Sequence, residues 1–309
     1  MTILPPGILD AFGIDPVEIA TLPGGLSRAA WKVRDAGDTF VVRRHDSSVQ
    51  TLAAVTSELA WLGALASDVE LPTPVPVRRV NGELGPVASD GANGEPAALW
   101  TAWEWVDGET LGRLPDVREA GLIGTMIAAL HGHARSWSPP PGFLRPTYDA
   151  AHFEAAARAL VHQTGTLLDA PARRLLDDAL RLATAALSRL GLGTGQVGPI
   201  HADLHDGNIV YGGDPRRAGA IDFGRFGWGC WALDLAMALH YLDDDLAEPV
   251  VASYHAGFGL SADGRAALPA LCFLAAIDNL AVLSAIPEEA DFVAAELDML
   301  KGRAARLVG

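Results

Sequence analysis

The chain has 309 residues, half of them apolar and a fifth charged, which is enough for two modest domains and too apolar for a disordered segment. Its formal net charge is −15, and residues 231–300 carry twelve acids against one base, Arg265, a balance that disfavours nucleic acid, whose phosphates need a basic footprint. Cys230 and Cys272 show no metal spacing, and so few cysteines in a chain this long read as a reduced, cytoplasmic protein.

Residues 5–20 predict a short leading helix, with Asp15-Pro16-Val17-Glu18 as its start signal. Gly24, Gly25 and Ser27 lie between apolar segments and predict a strand–turn–strand. Glycine there lets backbone amides approach phosphate oxygens, although an ordinary hairpin turn has the same signature. No Walker A or G-x-G-x-x-G sequence occurs. Residues 39–43 predict a strand ending at Arg43 and Arg44, and alternation alone does not decide which arginine faces inward. A helix follows that carries Glu58, with Leu59, Leu62 and Leu65 spaced for one face. Residues 71–80 are proline-rich and extended, Asn81-Gly82 predicts a hairpin turn, and 97–103 predicts an apolar strand.

Beyond Asp107, helices dominate, at about 116–134, 149–163 and 171–190, the third with a helix-period stripe from Leu175 to Leu190. Short apolar runs at 197–200, 209–211 and 218–221 read as brief strands, the last two joined by a turn over Gly212 to Pro215. A glycine-rich aromatic stretch then leads to a helix near Leu233, and further helices are expected at about 246–258, 265–286 and 288–307. The most membrane-like window, 266–286, is interrupted by Pro269, Asp278 and Asn279 and reads as a buried core helix; the start of the chain has no basic export signal, and no membrane association is expected.

The chemistry concentrates at Asp203, Asn208 and Asp222. A hairpin after Asn208 would return Asp222 towards the loop carrying Asp203, giving two hard oxygen ligands, one an amide, and a further carboxylate free to act as a base. Magnesium takes a few protein oxygens and leaves its other positions to water and phosphate. The run His201-x-Asp203-x-x-x-x-Asn208, followed by Ile221-Asp222-Phe223-Gly224, resembles the catalytic and metal-binding loops of the aminoglycoside phosphotransferase family. That family shares its fold with choline kinases, homoserine kinases and, more distantly, protein kinases. Ala202 stands where protein kinases have the Arg of H-R-D, which points to small-molecule substrates.

The resemblance implies an α+β, two-lobe protein-kinase-like fold with a small antiparallel N-lobe sheet plus helix and a larger, mainly helical C-lobe. Residues 1–106 would form the nucleotide-binding lobe and 107–309 the catalytic and acceptor-binding lobe. It implies ATP and Mg2+ as cofactors, with Asp203 as the base and Asn208 and Asp222 as metal ligands. Arg43, paired with Glu58, would reach the phosphates, beneath a turn containing Gly24, Gly25 and Ser27. Backbone groups of Glu104, Trp105 and Val106 would bind adenine, and Asp234 would brace the catalytic loop. The acceptor would be a small-molecule hydroxyl, and the acidic stretch favours a cationic, aminoglycoside-like one if its carboxylates share a cleft. Asp243, Asp244, Asp245, Asp278, Glu288, Glu289 and Asp291 are the candidates, against a solvated surface that merely aids solubility.

Several readings compete with this one. Choline, homoserine or a sugar are alternative acceptors, and Trp228 and Trp231 would suit a cation cage, though such pairs more often pack. A metallohydrolase would use His201, Asp203 and His205, with His131 and His133 adding an H-x-H, but that pair closes an apolar helical pattern. A nucleotide-binding pseudokinase is opposed by the intact Asp203, Asn208 and Asp222.

Overall fold

A computed structural model describes residues 4–22, 30–48, 50–90, 97–191 and 195–309. They fall into two compact units, the first formed by Met1–Glu109, Trp137–Arg145 and Val210–Gly224, the second by Thr110–Ser136, Pro146–Ile209 and Arg225–Gly309. The first stretch of chain holds α1 (Pro6–Phe12), β1 (Glu18–Thr21), β2 (Ala30–Arg34), β3 (Thr39–Asp46), α2 (Leu52–Asp68), β4 (Val87–Ser89) and β5 (Ala98–Glu104). Three helices follow, α3 (Val117–Ser136), α4 (Ala150–Thr164) and α5 (Ala170–Leu190), then the short strands β6 (Val197–Ile200), β7 (Ile209–Gly212), β8 (Arg217–Ala220) and β9 (Gly227–Cys230). The chain closes with α6 (Trp231–Leu239), α7 (Asp244–Gly257), α8 (Ala262–Leu283) and α9 (Ala290–Val308). This is the expected α+β, protein-kinase-like architecture, with an antiparallel sheet and helix in one unit and a mainly helical second unit.

The sheet of the first unit runs β1-β2-β3-β5-β4, all pairs antiparallel. Leu4, Ile8, Leu9 and Phe12 pack with Trp31, Val33, Val42, Trp100 and Ala102 in one buried cluster. Side chains alternate along a strand, so Val42 assigns one face of β3 to that cluster and sends Arg43 and His45 to the other. On that other face His45 Nε2 meets Thr101 Oγ1 at 2.9 Å, and Arg43 reaches Glu58 on α2. The register therefore distinguishes Arg43 from Arg44, which shares the face of Val42.

The leading helix is shorter than expected. It stops at Gly13, whose left-handed φ of 70° closes the end with amide bonds from Gly13 and Ile14 back to Asp10 and Leu9. Asp15-Pro16 then leads not into a helix but into β1, whose Glu18 pairs with Arg34 across the ladder. Asn81-Gly82 makes its turn, with Gly82 at φ 83°. Its proline-rich leading flank supplies only an isolated bridge at Pro76 rather than a strand.

In the second unit α8 packs against α4, α5, α6 and α9. It is long and apolar enough to cross a membrane by length and composition, yet every residue from Ala270 to Asp278 is buried within the unit. A helix apolar on all sides is a core helix when others surround it. The glycine-rich aromatic stretch, for which no strand is expected, forms β9, antiparallel to β6. A Cβ at Gly198 would lie 1.8 Å from the Trp231 ring, and one at Gly229 2.3 Å from Ile200. Glycine thus lets two strands and a tryptophan occupy one narrow space, which makes Trp231 a packing residue. It also stacks near His131 and Phe258.

His240, just beyond α6, is buried, and its Nδ1 has no hydrogen-bond partner among the described residues. Burial, with the nearby Arg303 cation, pulls its pKa down to about 4. The unfolded chain therefore takes up this proton first, so the associated stability is complete above the ordinary pKa of 6.5 and is lost as pH falls from there towards 4. Urea unfolding should show a stability decline of up to about 3 kcal/mol over that window, and His240→Gln should flatten it. An unchanged pH dependence in the variant would remove His240 as its source.

Candidate functional site

The catalytic loop of the second unit begins where β6 ends. Asp234, in the first turn of α6, is fully buried and accepts backbone N–H groups from His201 and Ala202, both at 2.8 Å. Its Oδ2 also meets His131 Nε2 at 3.1 Å, and His131 Nδ1 meets the Tyr254 hydroxyl at 2.9 Å. Burial works against the Asp234 charge, but the His131 hydrogen bond and the neighbouring histidine and amide groups outweigh it and hold the carboxyl below its ordinary pKa. These contacts stabilise Ala202 at φ 62°, a left-handed conformation a non-glycine residue seldom adopts. The chain turns there, and Asp203 follows.

Asp203 is gripped at both carboxylate oxygens. Asn208 Nδ2 donates to its Oδ2 at 3.2 Å and to its backbone carbonyl at 2.9 Å, while Arg225 Nη1 lies 3.3 Å from Oδ1. The amide of Asn208 is thereby oriented, leaving Oδ1 as the atom available to a cation. Nearby, the half-buried Tyr241 phenol is pushed up in pKa by desolvation and by the carboxylate of Asp203, against the Arg225 cation.

In the first unit Arg43 spans two carboxylates, with Nη1 3.4 Å from Glu58 Oε1 and Nη2 bonded to Asp222 Oδ1. Burial opposes the Arg43 charge, but Asp222 and Glu58 more than restore it, so the guanidinium pKa is raised. Asp222 sits at φ 58°, again left-handed, and its Oδ1 also accepts from Gly224 N at 3.3 Å. A residue the sequence did not signal ties this cluster together. Arg145 is nearly buried, donates to the carbonyls of Gly224 at 2.7 Å and Ala54 at 3.3 Å, and lies 3.9 Å from Glu58. Ser57 Oγ accepts from Leu144 N at 2.8 Å, and Trp61 meets Phe223 edge-on at 5.7 Å. The segment carrying Arg145 thus fastens α2 to the turn that carries Asp222.

The structure brings Arg43, Glu58 and Asp222 together in one cluster, and Asp203 with Asn208 in another. Glu104 and Trp105 spend their N–H groups on Val75 and Thr39 carbonyls, whereas the Val106 amide has no partner among the described residues. Gly24, Gly25 and Ser27 lie outside the described residues. The acidic stretch is dispersed. Asp243, Asp244, Asp245 and Asp291 sit exposed at helix starts, where acids offset the helix dipole, and Asp278 is buried against Arg225 and His152. His131 has both ring nitrogens engaged, and His201 Nδ1 accepts from Asp203 N. Among the described residues no group of three or more His, Cys, Asp or Glu is placed to hold a metal.

Fold and loops together define a phosphotransferase of protein-kinase-like fold. The model of the APH family, described as a phosphotransferase enzyme family, matches residues 18–271, and the chain belongs to that family; it is a phosphotransferase acting on small-molecule hydroxyl groups. Among solved structures, a microcompartment-associated aminopropanol kinase is 25% identical with a TM-score of 0.84, covering 97% of this chain and 95% of that one. An amicoumacin kinase in complex with AMP-PNP and Ca2+ is 16% identical, TM-score 0.73, covering 94% and 90%. The GDP and kanamycin complex of APH(2")-IIIa is 17% identical, TM-score 0.71, covering 97% of each chain. No curated protein matches the sequence.

Arg145 yields a test of the first cluster. Arg145→Ala leaves two carbonyls and part of Glu58 without their cation, and losing charged hydrogen bonds of this kind costs roughly 3 kcal/mol. Arg145→Lys keeps the charge but not the fork and should recover part of that loss. Denaturant midpoints within error of the parent for both variants would show that Arg145 does not fasten the turn.

Proposed function

We propose that the protein transfers the γ-phosphoryl group of ATP, with Mg2+, to the hydroxyl of a small cationic alcohol. A small amino alcohol is the favoured acceptor, and an aminoglycoside is the second reading. The observation that carries the reaction is the grip on Asp203, an ionisable carboxylate fixed at both oxygens on a loop whose backbone Asp234 braces. Phosphoryl transfer needs mainly positioning and charge neutralisation, and a carboxylate held this way can orient an acceptor hydroxyl and take its proton.

The remaining roles follow from the donor atoms. Asn208, through the oxygen its own hydrogen bonds leave available, and Asp222 would hold Mg2+, and these hard oxygens suit that ion. Bound there, Mg2+ supplies positive charge against the phosphates. Arg43, kept in place by Glu58, would take the non-transferred phosphates. The Val106 amide, beside Glu104 and Trp105, would take a ring nitrogen of adenine. Residues 1–106 would serve as the nucleotide-binding lobe and 107–309 as the catalytic and acceptor-binding lobe.

The aminopropanol kinase likeness, stronger in identity and TM-score than those to the antibiotic kinases, supports an amino alcohol. Asp278 is withdrawn from the acceptor candidates, because its side chain is buried, 4% exposed against 18% for Asp203, and paired inside the protein.

Two measurements test this. Purified enzyme should consume ATP with amino alcohols, less with aminoglycosides, and little with neutral sugars or homoserine. Its acceptor KM should rise with salt, since the Debye length falls from ~10 Å at 0.1 M to ~3 Å at 1 M. Turnover confined to neutral acceptors with a salt-independent KM would end the cationic reading and leave the kinase intact. Asp203→Asn should keep nucleotide affinity while losing ~10²–10⁴-fold in rate. A matching loss of nucleotide affinity would instead assign Asp203 to the metal.

A further inference from the structure

Arg225 follows Asp222-Phe223-Gly224 directly, and both arms of its guanidinium are used. Nη1 lies 3.3 Å from Asp203 Oδ1, and Nη2 is bonded to Asp278 Oδ2. The second oxygen of Asp278 meets His152 Nε2, on α4, at 2.7 Å. The backbone of Arg225 is pinned as well, because the Tyr148 hydroxyl donates to its carbonyl at 2.5 Å. Tyr148 in turn lies against the His152 ring, with centroids 4.6 Å apart. His152, Asp278, Arg225 and Asp203 thus form one chain of alternating partners inside the second unit.

Asp278 is out of place for packing alone. It ends the unbroken buried run that starts at Ala270 and is otherwise apolar, and its side chain is 4% exposed. A buried carboxylate is costly unless it is paired and fully hydrogen-bonded. Here both oxygens are engaged, and the burial of the group keeps it from a bound acceptor. What the pairing accomplishes is at the far end. An arginine tied only to Asp203 keeps several rotamers, whereas one tied also to a fixed buried carboxylate presents its second arm at one position.

We infer that Asp278 is a positioning residue for phosphoryl transfer, holding Arg225 so that the Asp203 carboxylate keeps one orientation towards the acceptor hydroxyl. His152 supports Asp278 from the outer, half-buried end. The inference rests on the reading of Asp203 as the base. Misplacement of a reacting group by about 1 Å can cost ~10²-fold in rate without touching binding.

The test is a double-mutant cycle on steady-state kinetics with ATP and the best acceptor from the screen. Asp278→Asn should lower kcat by ~10–100-fold while both KM values stay within about twofold. Arg225→Met should lose at least as much. In an Asp203→Asn background, Asp278→Asn should cost less than about twofold more, because the group it positions is already gone. Additive losses would mean a general structural role and overturn the inference, while a raised acceptor KM with kcat intact would make Asp278 an acceptor ligand after all. Should Asp278→Asn fail to fold, His152→Ala probes the same chain from its outer end. It should lose several-fold in kcat, and that loss should likewise vanish with Asp203→Asn. An Asp203→Asn enzyme at full rate would sink the base reading itself, a result distinct from a slow Asp203→Asn enzyme with additive Asp278→Asn.

Discussion

One buried carboxylate carries the catalytic loop. Asp234 accepts two successive backbone N–H groups, those of His201 and Ala202, and is itself held by His131. Two adjacent amides can converge on one carboxylate only if the chain bends sharply, and the left-handed φ of Ala202 is that bend. The cost of the conformation is of order 1–3 kcal/mol, and buried charge-assisted hydrogen bonds can offset it. The small side chain at 202 fits the same logic, since the position is fully buried. Without the bend, neither Asp203 nor the Asn208 amide that grips it would have a fixed place.

A second theme is the arginine fork. Arg43 serves Glu58 and Asp222, and Arg225 serves Asp203 and Asp278. The five donors of a planar guanidinium can address two carboxylates at once, whereas a lysine ammonium is a point charge on a flexible stem. This gives a physical reason for Arg43 where protein kinases place Lys. It also accounts for how an acidic chain with only two lysines, Lys32 and Lys301, keeps these four carboxylates in ordered positions. Glu58 has a further cation within reach in Arg145, so α2 is fastened to the Asp222 turn through two arginines.

How much of this was legible in the sequence follows from the range of the interactions. The short strands around Asp203, Asn208 and Asp222 were readable from their apolar runs and turn residues, and the closeness of Asp203 to Asn208 from their local spacing. The long helices were readable from their periodicity, including α8 as a core helix. The first helix was overextended because Asp15-Pro16 is also a plausible strand lead-in, and Gly13 decided the matter. Strand β9 was missed because Gly227 and Gly229 weaken any strand signal, and their purpose lies in the close approach of Ile200 and Pro146. Whether Arg43 or Arg44 faces α2 needed the buried partner of Val42.

Arg145, Arg225 and Asp278 mark the limit. Arg145 and Asp278 are ordinary charged residues in their own segments, and Arg225, though it directly follows Asp222-Phe223-Gly224, carries no local sign of its partners. Their partners are tertiary, from α2 and the Asp222 turn for Arg145, and from α4 and the catalytic loop for Asp278 and Arg225. The acidic stretch erred in the opposite direction, since twelve acids in seventy residues looked like one surface. Several of them serve helix starts, one braces a loop and one holds an arginine, so a charge count cannot separate capping from catalysis. Buried charges flanked by apolar residues, as at Asp234 and Asp278, were a signal in that stretch that composition could have raised. For Asp278 the inferred meaning is positioning rather than electrostatic steering, because its partner Arg225 is the residue that touches Asp203.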